Sequence, residues 1–172
     1  MGCMTLNGIS GDLCTESRGG IKAIQIIEKK GLDIDGMTVV DGEITNLDIL
    51  TGYTLSDYSF LKNNASWGEK SIGDGISSSI SFGPKVNLTF RRMSKELRNE
   101  VMELSKGTVV IFVTDANNIT WVLGTYAGLT LSASGGSQSG MKLDELNGEV
   151  LEFTGEETYK AYVIDPSAIN AV

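Results

Sequence analysis

Between Val86 and Val113 the chain changes its hydrophobic period twice, and this stretch limits what it can fold into. Val86-Asn87-Leu88-Thr89-Phe90-Arg91 alternates apolar and polar side chains. Residues 94–106 then carry Leu97, Val101 and Leu104 at helical spacing, and Thr108-Val109-Val110-Ile111-Phe112-Val113 follows as a nearly continuous apolar run. Period two marks a strand with one buried face, a period near 3.6 an amphipathic helix, and a short apolar run a strand buried on both faces. The order predicts a mainly β fold, a β-sandwich or β-barrel with one flanking α-helix over about residues 94–106. Ser94 is placed to cap that helix, Glu96 lies in its first turn, and Gly107 stands where a left-handed residue would end it.

Further strands are predicted over residues 21–27, 37–40, 53–61, 76–82, 85–92, 119–124, 128–132, 150–154 and 159–164. Asp41-Gly42, Thr51-Gly52, Asp115-Ala116-Asn117-Asn118 and Asn147-Gly148 read as turns, and Gly83-Pro84 as a bend, because proline cannot donate to a central ladder. Residues 62–75 read as a polar connection holding Trp67. Ala133, Ser134, Gly135, Gly136, Ser137, Gln138, Ser139 and Gly140 read as a flexible polar segment. An irregular N-terminal arm over residues 1–20 and a single β-rich domain over residues 21–172 are expected.

Charge and chemistry narrow the function. A net charge of −8 argues against tight binding of nucleic acid or of an anionic membrane, both of which need lysine and arginine. No segment approaches the roughly 20 apolar residues of a membrane span, and the N-terminus lacks a basic and apolar secretory signal. Cys3 and Cys14 read as reduced packing residues. Without histidine, nucleophilic catalysis by a Ser–His or Cys–His pair is excluded in its usual form. Asp144-Glu145 and Glu156-Glu157 read as solvated turns. Asp33-x-Asp35-Gly36 opens like a calcium loop but lacks the continuation and the bidentate glutamate. Trp67 and Trp121 are possible stacking platforms, although the apolar neighbours of Trp121 favour packing. No catalytic, cofactor or metal site is predicted, and the chain is not expected to be an enzyme.

Cys14, Gly19-Gly20-Ile21-Lys22-Ala23-Ile24-Gln25-Ile26, the strand and helix over residues 86–104, and Trp121-Val122-Leu123-Gly124 make up a further pattern. Gly128-Leu129-Thr130-Leu131 and the segment from Leu146 to Glu157 complete it. In these residues the chain resembles tail-tube-like and neck-ring structural proteins of phages and prophages of Bacteroides-type bacteria, including crAss-like phages; residues 32–67 match poorly. The resemblance implies a virion subunit, assembled in the host cytoplasm, that pairs with copies of itself in a hexameric or dodecameric ring. Such rings stack into a tail tube or neck connector beside other tail or neck proteins, and DNA passes through without sequence-specific binding, as in genome ejection. Residues 1–20 and 133–140 are then the candidate inter-subunit segments. Two other readings stand beside this one: a capsid decoration or head-fibre anchoring protein, and a carbohydrate-binding β-sandwich using Trp67 and Trp121.

Overall fold

The computed structural model describes residues 18–73, 80–132, 136–140 and 145–171, so Cys3, Cys14 and most of the expected arm lie outside the described residues. Strands β1 (Ile21–Glu28), β2 (Leu32–Val40), β3 (Glu43–Ile49), β4 (Ser56–Tyr58), β5 (Ala65–Ile72) and β6 (Ser81–Arg91) precede the helix α1 (Lys95–Leu104). After it come β7 (Val109–Asp115), β8 (Thr120–Leu123), β9 (Thr130–Leu131), β10 (Gly136–Ser139), β11 (Asn147–Thr154), β12 (Tyr162–Ile164) and β13 (Ile169–Ala171). The fold is mainly β and, among the described residues, has two sheets and one flanking α-helix, as the changing period predicts.

The first sheet runs β4-β1-β7-β8-β12-β3-β2, with β13 also on β3; the second runs β10-β11-β6-β5, with β9 on β11. Because β2 occupies one edge of β3, β12 and β13 share the other as one interrupted parallel strand. The interruption is a 3-10 turn, Pro166–Ala168, capped by Asp165, whose Oδ1 accepts the Ser167 N–H at 2.9 Å.

The apolar run from Val109 to Val113 explains the architecture. Val109, Ile111 and Val113 face the core between the sheets, with Ile24, Ile26, Val86, Leu88, Leu123, Leu129, Leu151 and Phe153. Val110 and Phe112 point the other way, into a second core with Ile27, Leu32, Ile44, Leu47, Ile49, Val122 and Ile164. Strands β2 and β3 therefore fold back over the outer face of β1, β7 and β8. A strand covered on both faces has no polar side, hence the unbroken apolar run.

Helix α1 begins as predicted, the Ser94 hydroxyl accepting the Leu97 N–H at 3.1 Å. Its end differs: Ser105 keeps a right-handed helical backbone, and Gly107 is not in the left-handed region. Leu104 is buried and Val101 packs against the first core, so the stripe seals one side of the sandwich.

Several local expectations are corrected. The polar connection over residues 62–75 contains strand β5, whose inward positions are Ala65, Trp67 and Glu69. Strand β6 runs straight through Gly83-Pro84. The Pro84 carbonyl accepts the Gly155 N–H at 3.3 Å on the β11 side, so the missing Pro84 donor faces the side where β11 has already ended. Asn147-Gly148 is not a turn but the start of β11, with Gly148 opposite both Arg91 and Gln138. Only glycine fits there, since a Cβ would stand 1.9 Å from the Phe90 carbonyl oxygen. Residues 53–61 hold only the short β4, the strand expected at 37–40 begins at Leu32, and β3 was not expected. Asp41-Gly42 does turn the chain, with φ of 50° and 84°, the type I′ geometry of a two-residue hairpin.

Candidate assembly interface

Of the predicted inter-subunit segment, Ala133, Ser134 and Gly135 lie outside the described residues. Gly136, Ser137, Gln138 and Ser139 are not a loop but β10, paired antiparallel to β11 from Gly136↔Val150 to Ser139↔Asn147. Gly140 follows, donating to the Leu146 carbonyl at 3.1 Å. Among the described residues β10 pairs on one side only, and so does β5 at the opposite edge of the same sheet. Both edges present unused backbone donors and acceptors, which is the chemistry of strand addition. Beside the β5 edge, Ile72 and Ile80 are 46% and 49% exposed.

The sheets are fastened together near this edge by a buried carboxylate and by a pair of tryptophans. Glu157 is not solvated: it is 4% exposed. Its Oε1 accepts the N–H groups of Ala127 and Gly128, both at 3.0 Å, and its Oε2 that of Tyr126 at 2.7 Å. The Glu157 backbone also exchanges two hydrogen bonds of 2.7 Å with Phe82. Residue 157 thus ties β6, the β11–β12 connection and the β8–β9 turn together. Its neighbour Glu156 does fit the solvated reading, an exposed side chain accepting from Ser81 Oγ at 2.6 Å, and Glu145 is exposed too, while Asp144 lies outside the described residues. Nothing in the order Gly155-Glu156-Glu157 announces this difference, because the three donors lie about thirty positions earlier.

A second fastening joins Trp67 of β5 to Trp121 of β8, ring centroids 5.4 Å apart and inclined at 40°. The Trp121 indole N–H donates to Asp115 Oδ2 at 3.4 Å, and Glu69 Oε1 accepts the Ala161 N–H at 2.9 Å. Each tryptophan turns part of its ring toward the other, leaving less of it for a sugar or base.

Asp115 organises the β7–β8 hairpin, its Oδ1 accepting the Asn117 and Ile119 N–H groups at 2.8 and 3.0 Å. Burial pushes its carboxyl upward, but the bonds from Ile119, Trp121 and Asn117 outweigh that and hold it below the ordinary range. Asp33 serves locally, Oδ1 accepting the Gly36 N–H at 3.0 Å inside an irregular stretch of β2. Among the described residues, no three acidic or cysteine side chains converge as a metal site.

A recess of about 730 Å³ lies between α1 and the Tyr53–Tyr58 segment, with Ile26, Leu104 and Val109 lining it. Tyr58 donates to Glu100 across it. Burial first, then the bond and the charge of Glu100, push the Tyr58 phenol far above its usual range. That tyrosine therefore stays protonated as a fixed donor, a strut between sheet and helix.

Among the described residues no helix is long and apolar enough to cross a membrane. Compared with known proteins, the chain matches no family model, no curated protein and no solved structure.

Proposed function

We propose that the chain is a non-catalytic structural subunit that joins copies of itself edge to edge, as in a phage tail-tube or neck ring through which DNA passes. The observation that carries this reading is that one sheet ends in two strands, β5 and β10, each paired on one side among the described residues. The two edges differ in length and sequence, so pairing one with the other is heterologous, and repeating it closes a ring or extends a filament. Exposed Ile72 and Ile80 beside β5 add apolar area to such a contact. The acidic balance of the chain suits a wall that DNA slides past, since phosphates are held by lysine and arginine.

Native mass measurement of the purified full-length chain, with electron microscopy of the parent particle, tests the proposal. Closed assemblies of six or twelve copies in the tail or neck are expected. Trimers or single copies on a shell would favour capsid decoration instead. A protein that stays monomeric at high concentration and is absent from virions would overturn the assembly reading.

A further inference from the structure

Charge is segregated along this chain, and the fold turns that into two separated surfaces. Residues 31–61 contain Asp33, Asp35, Asp41, Glu43, Asp48 and Asp57 but no lysine or arginine. Most of them lie on β2 and β3, the hairpin that folds back over the second core. Arg91, Arg92, Lys95 and Arg98 instead fall within eight positions where β6 passes into α1, accompanied by Glu96. All four are exposed, and none is in an ion pair among the described residues.

Each surface has a shaped centre. At the acidic one, the type I′ turn makes a firm hairpin tip in which Val40, 53% exposed, stands beside Asp41 and Glu43. At the basic one, Met93, Lys95, Leu97 and Arg98 line a cleft of about 290 Å³ whose far wall is Ser137 and Glu149. Ser137 donates to Glu149, which occupies that carboxylate locally. Met93 is 46% exposed, an apolar counterpart for Val40. Ser137 belongs to β10, so the cleft adjoins one of the two unpaired sheet edges.

We infer that the Val40–Glu43 hairpin tip of one copy docks into the Met93–Arg98 cleft of the next, placing Asp41 and Glu43 against Lys95 and Arg98. The inference rests on the assembly reading above and adds a second contact between copies. Tip and cleft are different parts of one chain, so every docked copy leaves a free tip and a free cleft for its neighbours. The cations serve a protein partner rather than nucleic acid because an apolar side chain lies among them and the chain as a whole repels phosphate. Opposite charges at the rim of an apolar contact set register and on-rate, which makes the contact sensitive to salt.

Charge exchange tests this. Asp41→Lys with Glu43→Lys makes a variant with a basic tip; Lys95→Glu with Arg98→Glu makes one with an acidic cleft. In sedimentation, each variant alone should self-associate roughly tenfold more weakly than the parent. An equimolar mixture should recover association, because each tip then meets a cleft of opposite sign. All four substitutions in one chain should restore it as well. Unchanged far-UV circular dichroism and melting temperature separate this from misfolding. Association that persists unaltered in both variants overturns the docking while leaving the assembly reading intact. A parent chain that never associates removes the assembly reading itself. Binding of a single-stranded oligonucleotide that is lost with Lys95→Glu and Arg98→Glu, without recovery of association on mixing, would assign the cleft to nucleic acid and overturn the inference.

Discussion

Replacing Glu157 by alanine isolates the contribution of one buried carboxyl group to holding two sheets together. The side chain is 4% exposed and receives the N–H groups of Tyr126, Ala127 and Gly128. Tyr126 and Ala127 lie at the surface, so water can replace the lost acceptor at about 0.5–1 kcal/mol each. Gly128 is buried, and leaving its N–H without a partner costs about 1–3 kcal/mol. Glu157→Ala is therefore expected to destabilise the protein by about 3 kcal/mol, or roughly 6–12 °C in melting temperature for a chain of this size. Glu157→Gln keeps the oxygen that serves Ala127 and Gly128 but turns an amide donor toward the Tyr126 N–H, costing about half as much. Glu156→Ala, which removes only an exposed bond to Ser81, should fall within about 0.5 kcal/mol of the parent. Urea unfolding of the three variants, with hydrogen exchange at the Gly128 amide, measures the series. If Glu157→Ala and Glu156→Ala prove equally mild, the pinning role assigned to Glu157 is wrong.

Acid should loosen the β7–β8 hairpin. The Asp115 carboxyl titrates below its ordinary value in the folded chain, so its contribution is fully present above about pH 4 and is lost as pH falls through the folded value. Stability measured from pH 6 down to pH 2.5 should drop less steeply in Asp115→Asn than in the parent; parallel curves would remove Asp115 from the account. Gly148→Ala sets a methyl group against the Phe90 carbonyl and should lower the melting temperature by more than about 8 °C or prevent folding. A variant that melts within about 2 °C of the parent contradicts the pairing of β11 with β6.

The elements legible in the sequence were those whose period runs uninterrupted. Strand β7, helix α1, the Lys85–Arg91 part of β6 and β1 beyond its irregular start at Ile21–Ala23 each keep one rhythm long enough to be read. Strand β3 does not. Thr38 pairs with Asn46 but Val39 with Ile44, so the residue between them bulges out. The bulge resets the alternation, and Ile44 and Leu47 both face the core although they are three positions apart. Strand β5 was hidden for another reason: it is an edge strand, and its outward Ser66, Gly68 and Lys70 look like a loop. At Asn147-Gly148 the usual turn dipeptide marks a tight approach between backbones instead. The Glu157 pin could not be read at all, because its donors are main-chain groups, which every residue except proline carries. Of the flexible loop expected over residues 133–140, Gly136–Ser139 form an edge strand instead, and their polarity reflects that exposed edge.

Strand β7 places Ile111 and Phe112, adjacent in the chain, in separate cores. It is a party wall between two rooms, and neither room keeps its shape once that wall is taken down. No cut of the polypeptide could release half of this molecule with its oily interior whole. A copy fixed in an array would thus carry a pull from the β2–β3 hairpin to the β5 and β10 edges through its full thickness, as one solid block.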